Sequence, residues 1–192
     1  MNPLENISTH FSEHLQVISE LTALYSEQIH NAGKQIAGSL TRDGTLFWCG
    51  NGGSAADSQH LAAELVGRYK KDRKALRSIA LTTDTSVLTC VANDYSYKDI
   101  FSRQLEALGE AGDVLVAIST SGNSENVLHV LRAAKEMQVK TIALLGKDGG
   151  QAKVDADLAI VIPSDSTARI QEAHILIGHI LCDLIEQELG LV

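Results

Sequence analysis

The sequence predicts an α/β domain with a mostly parallel sheet, and three observations carry that expectation. Short apolar runs alternate with stretches of helical periodicity. Two loops rich in glycine and hydroxyls each follow an apolar run and open into a helical pattern. A long helical pattern stands at either end of the chain. From Leu4 to about Leu40, the residues Leu15, Ile18, Leu21, Leu24, Tyr25, Ile29, Ile36 and Leu40 recur at helical spacing, which reads as one or two helices with Gly33 as a break. After Arg42-Asp43-Gly44 the apolar runs Leu46–Cys49, Ser78–Leu81, Val114–Ile118, Thr141–Leu145 and Leu158–Ile162 read as strands. Helices are expected between them at about 54–69, 85–93, 98–109 and 123–138, with Asn123 or Ser121 capping the last. A final helix, roughly 167–189, is apolar around much of its girth, which suggests burial against another subunit. Such alternation places ligands outside the carboxyl ends of the strands, where both glycine-rich loops fall.

At 192 residues the chain suits a single domain. The net charge of −8 is spread along the chain without a basic stripe, which argues against nucleic acid and an anionic membrane as partners. No apolar stretch is long enough to span a bilayer, and the first residues lack a basic start, so a cytoplasmic protein is expected. Cys49, Cys90 and Cys182 are odd in number and far apart in apolar segments, and read as reduced core thiols.

The loops Gly50-Asn51-Gly52-Gly53-Ser54 and Ser119-Thr120-Ser121-Gly122-Asn123-Ser124 contain no Lys or Arg. A strand that ends in small residues and turns into a helix presents unpaired N–H groups at the positive end of the helix dipole, a natural phosphate site. With neutral amides and hydroxyls as the grip, a small sugar phosphate fits better than a polyanion. The same residues also make tight turns, and Gly50-x-Gly52-x-x-Ala55 formally satisfies a dinucleotide fingerprint. Against the nucleotide reading, the nearest acidic residue after the second strand is Asp84, beyond Thr82-Thr83.

His60 and Glu64 are four apart on the helix after the first loop, which points an imidazole and a carboxylate to one side. That is half of a zinc site or a solvated helix face. Gln171, His174 and His179 lie on the last helix. Gln171 and His179 are separated by about 12 Å along an ideal axis. Their convergence needs an irregular first turn or residues from more than one chain. His10 with His14, another pair four apart, is assigned to helix surface or subunit contact, and His30 and His129 to the surface.

Taken together, Gly50 to Asp57, His60 to Glu64 with Gly67-Arg68-Tyr69, Asn93-Asp94, Ile118 to Ser124, Gly146-Lys147-Asp148-Gly149-Gly150 and Arg169-Ile170-Gln171-Glu172-x-His174 make a chain that resembles the bacterial phosphoheptose isomerases of the sugar isomerase (SIS) superfamily, over nearly its whole length. The resemblance implies a flavodoxin-like SIS domain over residues 1–192, with 1–42 used in oligomer packing. It implies a homotetramer with sites at subunit interfaces and one zinc per subunit held by His60, Glu64, Gln171 and His179. It places Ser119, Thr120, Ser121 and Ser124 on the phosphate, and Asn51, Gly52, Gly53, Ser54, Glu64, Asn93, Asp94 and Gln171 on the substrate. Glu64 and His179 are the implied catalytic pair, and the implied reaction converts sedoheptulose 7-phosphate to D-glycero-D-manno-heptose 7-phosphate, the first step toward nucleotide-activated heptose, an intermediate of lipopolysaccharide and other glycoconjugates. The alternative is a non-catalytic adaptor of the same fold, resembling the protein that associates with a replication initiator. That family lacks the carboxylate at the position of Glu64 and reads Gly-Thr-Ser where this chain has Gly52-Gly53-Ser54. One departure from some isomerases is Ala168, where they carry an aspartate.

Overall fold

A computed structural model describes residues 2–192. Helix α1 (Pro3–Thr41) starts at Asn2, whose side chain accepts the Leu4 N–H while Glu5 reaches back to the Asn2 N–H, a reciprocal cap reinforced by Pro3 at the first helical position. It runs unbroken through Gly33. That glycine is a packing notch instead of a break: a Cβ there would lie 2.9 Å from Cβ of Leu184 on the last helix.

Strands β1 (Leu46–Gly50), β2 (Ser78–Ala80), β3 (Val114–Ser119), β4 (Lys140–Leu145) and β5 (Leu158–Val161) form one parallel sheet in the order β2-β1-β3-β4-β5. Every residue of β1 and β3 is buried, as expected of strands covered on both faces. Side chains alternate between two cores. Trp48, Val116 and Ile118 pack toward α1, α2 (Gly53–Val66) and α7 (Thr167–Glu188), whereas Phe47, Leu115 and Ala117 pack toward α4 (Ser102–Leu108) and α5 (Glu125–Glu136). The helices that follow β1 and β3 therefore lie on opposite faces, and a crevice opens between the two strand ends.

The remaining elements correct the sequence reading in detail. The helix expected at 98–109 is a 3-10 turn at Tyr97–Asp99 followed by α4. Helix α5 is preceded by Ser124, not Asn123 or Ser121, because those two residues bond within the loop itself. A short helix α6 (Ala152–Asp155) was not expected. Helix α3 (Thr85–Asp94) is capped by Asp84, whose carboxylate accepts the Val87 N–H at 3.0 Å. Cys49 and Cys182 are buried free thiols, pushed up in pKa by desolvation, Cys182 to about 12. Cys90 is exposed on α3 and is not a core residue. No helix among the described residues is long and apolar enough to cross a membrane.

Candidate active site

Helix α2 is preceded by Gly52, whose φ of +57° and ψ of −119° suit glycine. No side chain caps α2, and none caps α5. Two helix N-termini thus meet at the crevice without a side-chain cap on either, and Glu125 places one carboxylate in the first turn of α5. In the second loop, Ser119 Oγ accepts the Gly122 N–H at 3.1 Å and Ser121 Oγ accepts the Asn123 N–H at 3.2 Å. A hydroxyl that accepts in this way keeps its own hydrogen for donation. Ser119 Oγ also lies 3.5 Å from Ser124 Oγ. Thr120, Ser121 and Ser124 are half-buried. The loop is braced from behind. Ala152 N–H donates to Gly122 O at 2.9 Å, and the side chain of Asn123 links Ser121 O to the Gln151 N–H.

Gly122 has φ +65°, and a Cβ there would overlap the Gly149 carbonyl. Gly122→Ala combines backbone strain of about 1–3 kcal/mol with that overlap. We expect it to displace the loop and to raise KM for a phosphorylated substrate about tenfold, measured by steady-state kinetics beside thermal unfolding. An unchanged KM would remove this loop from phosphate binding.

Helices α2 and α7 run side by side in the same direction. Gly53 lies against Gln171, Leu61 against Gly178, and Lys70, just past α2, pairs with Asp183 at 2.7 Å. A Cβ at Gly178 would overlap the fully buried Leu61 side chain, so this glycine permits the close approach, whereas at Gly53 it would meet only the movable amide end of Gln171. That approach brings His179 Nε2 to 3.1 Å from His60 Nε2, which is itself 3.1 Å from Glu64 Oε1. Ligand atoms of His60, Glu64 and His179 all lie within 4.8 Å of one another, a donor set of two imidazoles and one carboxylate that suits a divalent ion such as zinc. Gln171 reaches from α7 toward the first turn of α2. Its Nε2 would be 2.5 Å from a Cβ on Gly53, which is about 10 Å along the α2 axis from His60.

Two residues near the cluster went unnamed as site residues in the sequence. Asp57 is half-buried, and its carboxyl is raised in pKa by desolvation, against the pull of His60 and His179. The spacing of Asp57, His60 and Glu64 at i, i+3 and i+7 was a signal for one helix face. The Tyr69 ring stacks on His179 with centroids 5.7 Å apart. Only the tertiary structure brings those two together.

The other named residues fall as follows. Asn51 Nδ2 donates to Asn126 at 2.9 Å, and Ser54 is buried in the first turn of α2. Asn93 and Asp94 are exposed at the end of α3 and bond to each other at 2.8 Å, a contact that leads the lowering of the Asp94 pKa. His174 is fully buried with Nε2 3.0 Å from Leu145 O, and burial pushes its pKa down to about 4. His10 and His14 tie α1 to α7: the His10 carbonyl accepts from Arg169 at 2.8 Å, and His14 Nδ1 lies 2.8 Å from Glu172. His30 and His129 sit beside Glu188 and Asp99.

The model of the SIS domain family matches residues 9–146. The phosphoheptose isomerase of Clostridium acetobutylicum is 55% identical over 165 residues, 86% of this chain and 84% of that protein. The phosphoheptose isomerase of a Geobacter species is 51% identical over 188 residues, 98% of each. The solved phosphoheptose isomerase of Neisseria gonorrhoeae superposes with a TM-score of 0.91 at 45% identity, covering 96% of this chain and 98% of that one. By a family match over most of its length and relatives at this identity, the chain belongs to the phosphoheptose isomerases of the SIS domain family.

Proposed function

We propose that this protein interconverts sedoheptulose 7-phosphate and D-glycero-D-manno-heptose 7-phosphate, an aldose–ketose isomerisation that opens nucleotide-activated heptose biosynthesis. The observation that carries this reading is the convergence of His60, Glu64 and His179 on one face of the α2–α7 pair, whose α2 end opens onto two uncapped, serine- and glycine-lined helix N-termini. The same carboxylate distinguishes the enzyme from the adaptor alternative.

The phosphate rests on the N–H groups and hydroxyls of Ser119, Thr120, Ser121 and Ser124, with Asn51, Gly52, Gly53, Ser54, Asn93, Asp94 and Gln171 assigned to the sugar chain. Glu64 takes the proton from C1 of the ketose and returns it to C2 of the enediol. His179 moves hydrogen between the O2 and O1 oxygens. Glu64 Oε1 faces His60 at 3.1 Å, which leaves Oε2 for the carbon-bound proton. Zinc fits the donor set of His60, Glu64 and His179, and when bound it polarises a carbonyl and stabilises enediolate charge. Gln171, whose amide lies against Gly53, is assigned to the substrate and as the fourth ligand that would hold zinc. Ala168 stands where some of these isomerases carry an aspartate, and the proton transfers are assigned here to Glu64 and His179.

We assign the protein to the cytoplasm as a homotetramer with sites at subunit interfaces. In support of self-association, Leu4, Ile7, Phe11 and Leu15 on the first turns of α1 are more than half exposed, and Ile180 on α7 is exposed as well. Purified protein is expected to convert sedoheptulose 7-phosphate, to lose activity on chelation and to regain it with added zinc. Absence of conversion would overturn the isomerase reading. Activity indifferent to chelation would remove zinc from it.

A further inference from the structure

The two anion-binding loops are joined across the crevice by a side-chain bridge that the reaction chemistry does not itself require. Asn126, the second residue of α5, is 2% exposed and cannot meet a ligand through solvent. Its Nδ2 donates to Asn51 Oδ1 at 2.8 Å, and its Oδ1 accepts from Asn51 Nδ2 at 2.9 Å. The Tyr97 hydroxyl, from the 3-10 turn, donates to the same Asn51 Oδ1 at 3.0 Å. Asn51 directly follows β1, so the bridge ties the start of α2 to the start of α5 on opposite faces of the sheet.

The inventory of donors and acceptors gives this bridge a direction. An amide oxygen offers two lone pairs and an amide nitrogen two hydrogens. Both lone pairs of Asn51 Oδ1 are taken, by Asn126 and Tyr97, and one Nδ2 hydrogen is taken by Asn126. What remains on the side chain of half-buried Asn51 is a single N–H. We propose that Asn126, with Tyr97, is a positioning residue that locks Asn51 as a hydrogen-bond donor, so that this corner of the cleft recognises an acceptor oxygen of the sugar phosphate. The proposal rests on the isomerase reading for the identity of the ligand. Pre-organisation of this kind acts on binding, since a free amide would otherwise sample both orientations and the loops would sample other separations.

In Asn126→Asp the side chain keeps its shape and can still accept, but it no longer donates, and a carboxylate oxygen faces Asn51 Oδ1. Tyr97→Phe removes one exposed hydroxyl and leaves the core untouched. We expect KM for sedoheptulose 7-phosphate to rise about tenfold or more in Asn126→Asp and a few-fold in Tyr97→Phe, with kcat held within about threefold in both. Inorganic phosphate should weaken as a competitive inhibitor in Asn126→Asp, because the bridge also sets the spacing of the loops. Should Asn126→Asp fail to fold, the Tyr97→Phe KM decides alone. An active wild type beside variants with unchanged KM overturns the latch and leaves the isomerase reading standing. A change confined to kcat overturns it as well. A wild type without isomerase activity removes the reading beneath the latch, and the latch with it.

Discussion

Glu64→Gln is expected to lower kcat by about 10² to 10⁴, the range associated with loss of a positioned general base, while the protein keeps its fold. Glutamine has nearly the same shape as glutamate, and its amide can still meet His60, so the 3.1 Å contact between α2 residues survives in some form. What it lacks is a basic oxygen for the C1 proton. Steady-state turnover measures the loss. Exchange of the C1 hydrogen with deuterated solvent, followed by proton NMR, reads the same step without relying on product formation. If the variant retained wild-type turnover and exchange, Glu64 would no longer be the base, and the carboxylate of Asp57, on the same face one turn before His60, would be the next to test.

Glu186→Gln is expected to cost about 3–5 kcal/mol of stability, the scale for stranding one partner of a buried ion pair, and to lower the thermal midpoint by about 10 °C. Glu186 is fully buried. Its carboxylate accepts Arg73 Nε at 2.9 Å and faces the backbone N–H groups of Tyr69 and Lys70 at 3.4 Å. The Arg73 side chain is 3% exposed, and it also donates to the carbonyls of Glu64 at 2.9 Å and Leu65 at 2.7 Å, which closes the C-terminal end of α2. The pair therefore fastens the turn of α2 that carries Glu64 to the helix that carries His179, and holds Tyr69 against the His179 ring. Glutamine would leave the guanidinium without a counter-charge and turn an amide nitrogen toward backbone donors. Replacing both partners, as Arg73→Met with Glu186→Leu, should recover part of the stability, since neither charge is then buried alone. Chemical or thermal unfolding of the two variants beside the wild type checks this. A Glu186→Gln protein as stable as the wild type would show that the pair contributes little.

The five strands were legible because a sheet covered on both faces needs uninterrupted apolar runs. Val114–Ile118, for example, is buried throughout. The placement of both glycine loops was legible for a similar local reason: small residues between a strand and a helix mark the end of the strand whatever the rest of the chain does. The boundary near Asn123 was misread because its amide has two competing uses, capping a helix or bonding within its own loop, and the neighbouring Gln151 N–H favours the second. Gly33 was misread because helix propensity depends on sequence alone, whereas the approach of Leu184 is a property of the packed pair α1–α7.

By itself the sequence determined the α/β alternation, the loops at the carboxyl edge of the sheet and the half-site of His60 with Glu64, all of which depend on residues close together along the chain. Resemblance supplied His179 as their partner. The tertiary structure alone decided how His179 reaches them, through Gly178, which lets two parallel helices touch, and set the Gln171 amide beside Gly53. It also decided the roles of Asn126, Arg73 and Glu186. Local periodicity records which face of a helix is apolar, but the partner of a buried polar group lies 75 to 117 positions away, and only packing determines which groups must satisfy one another.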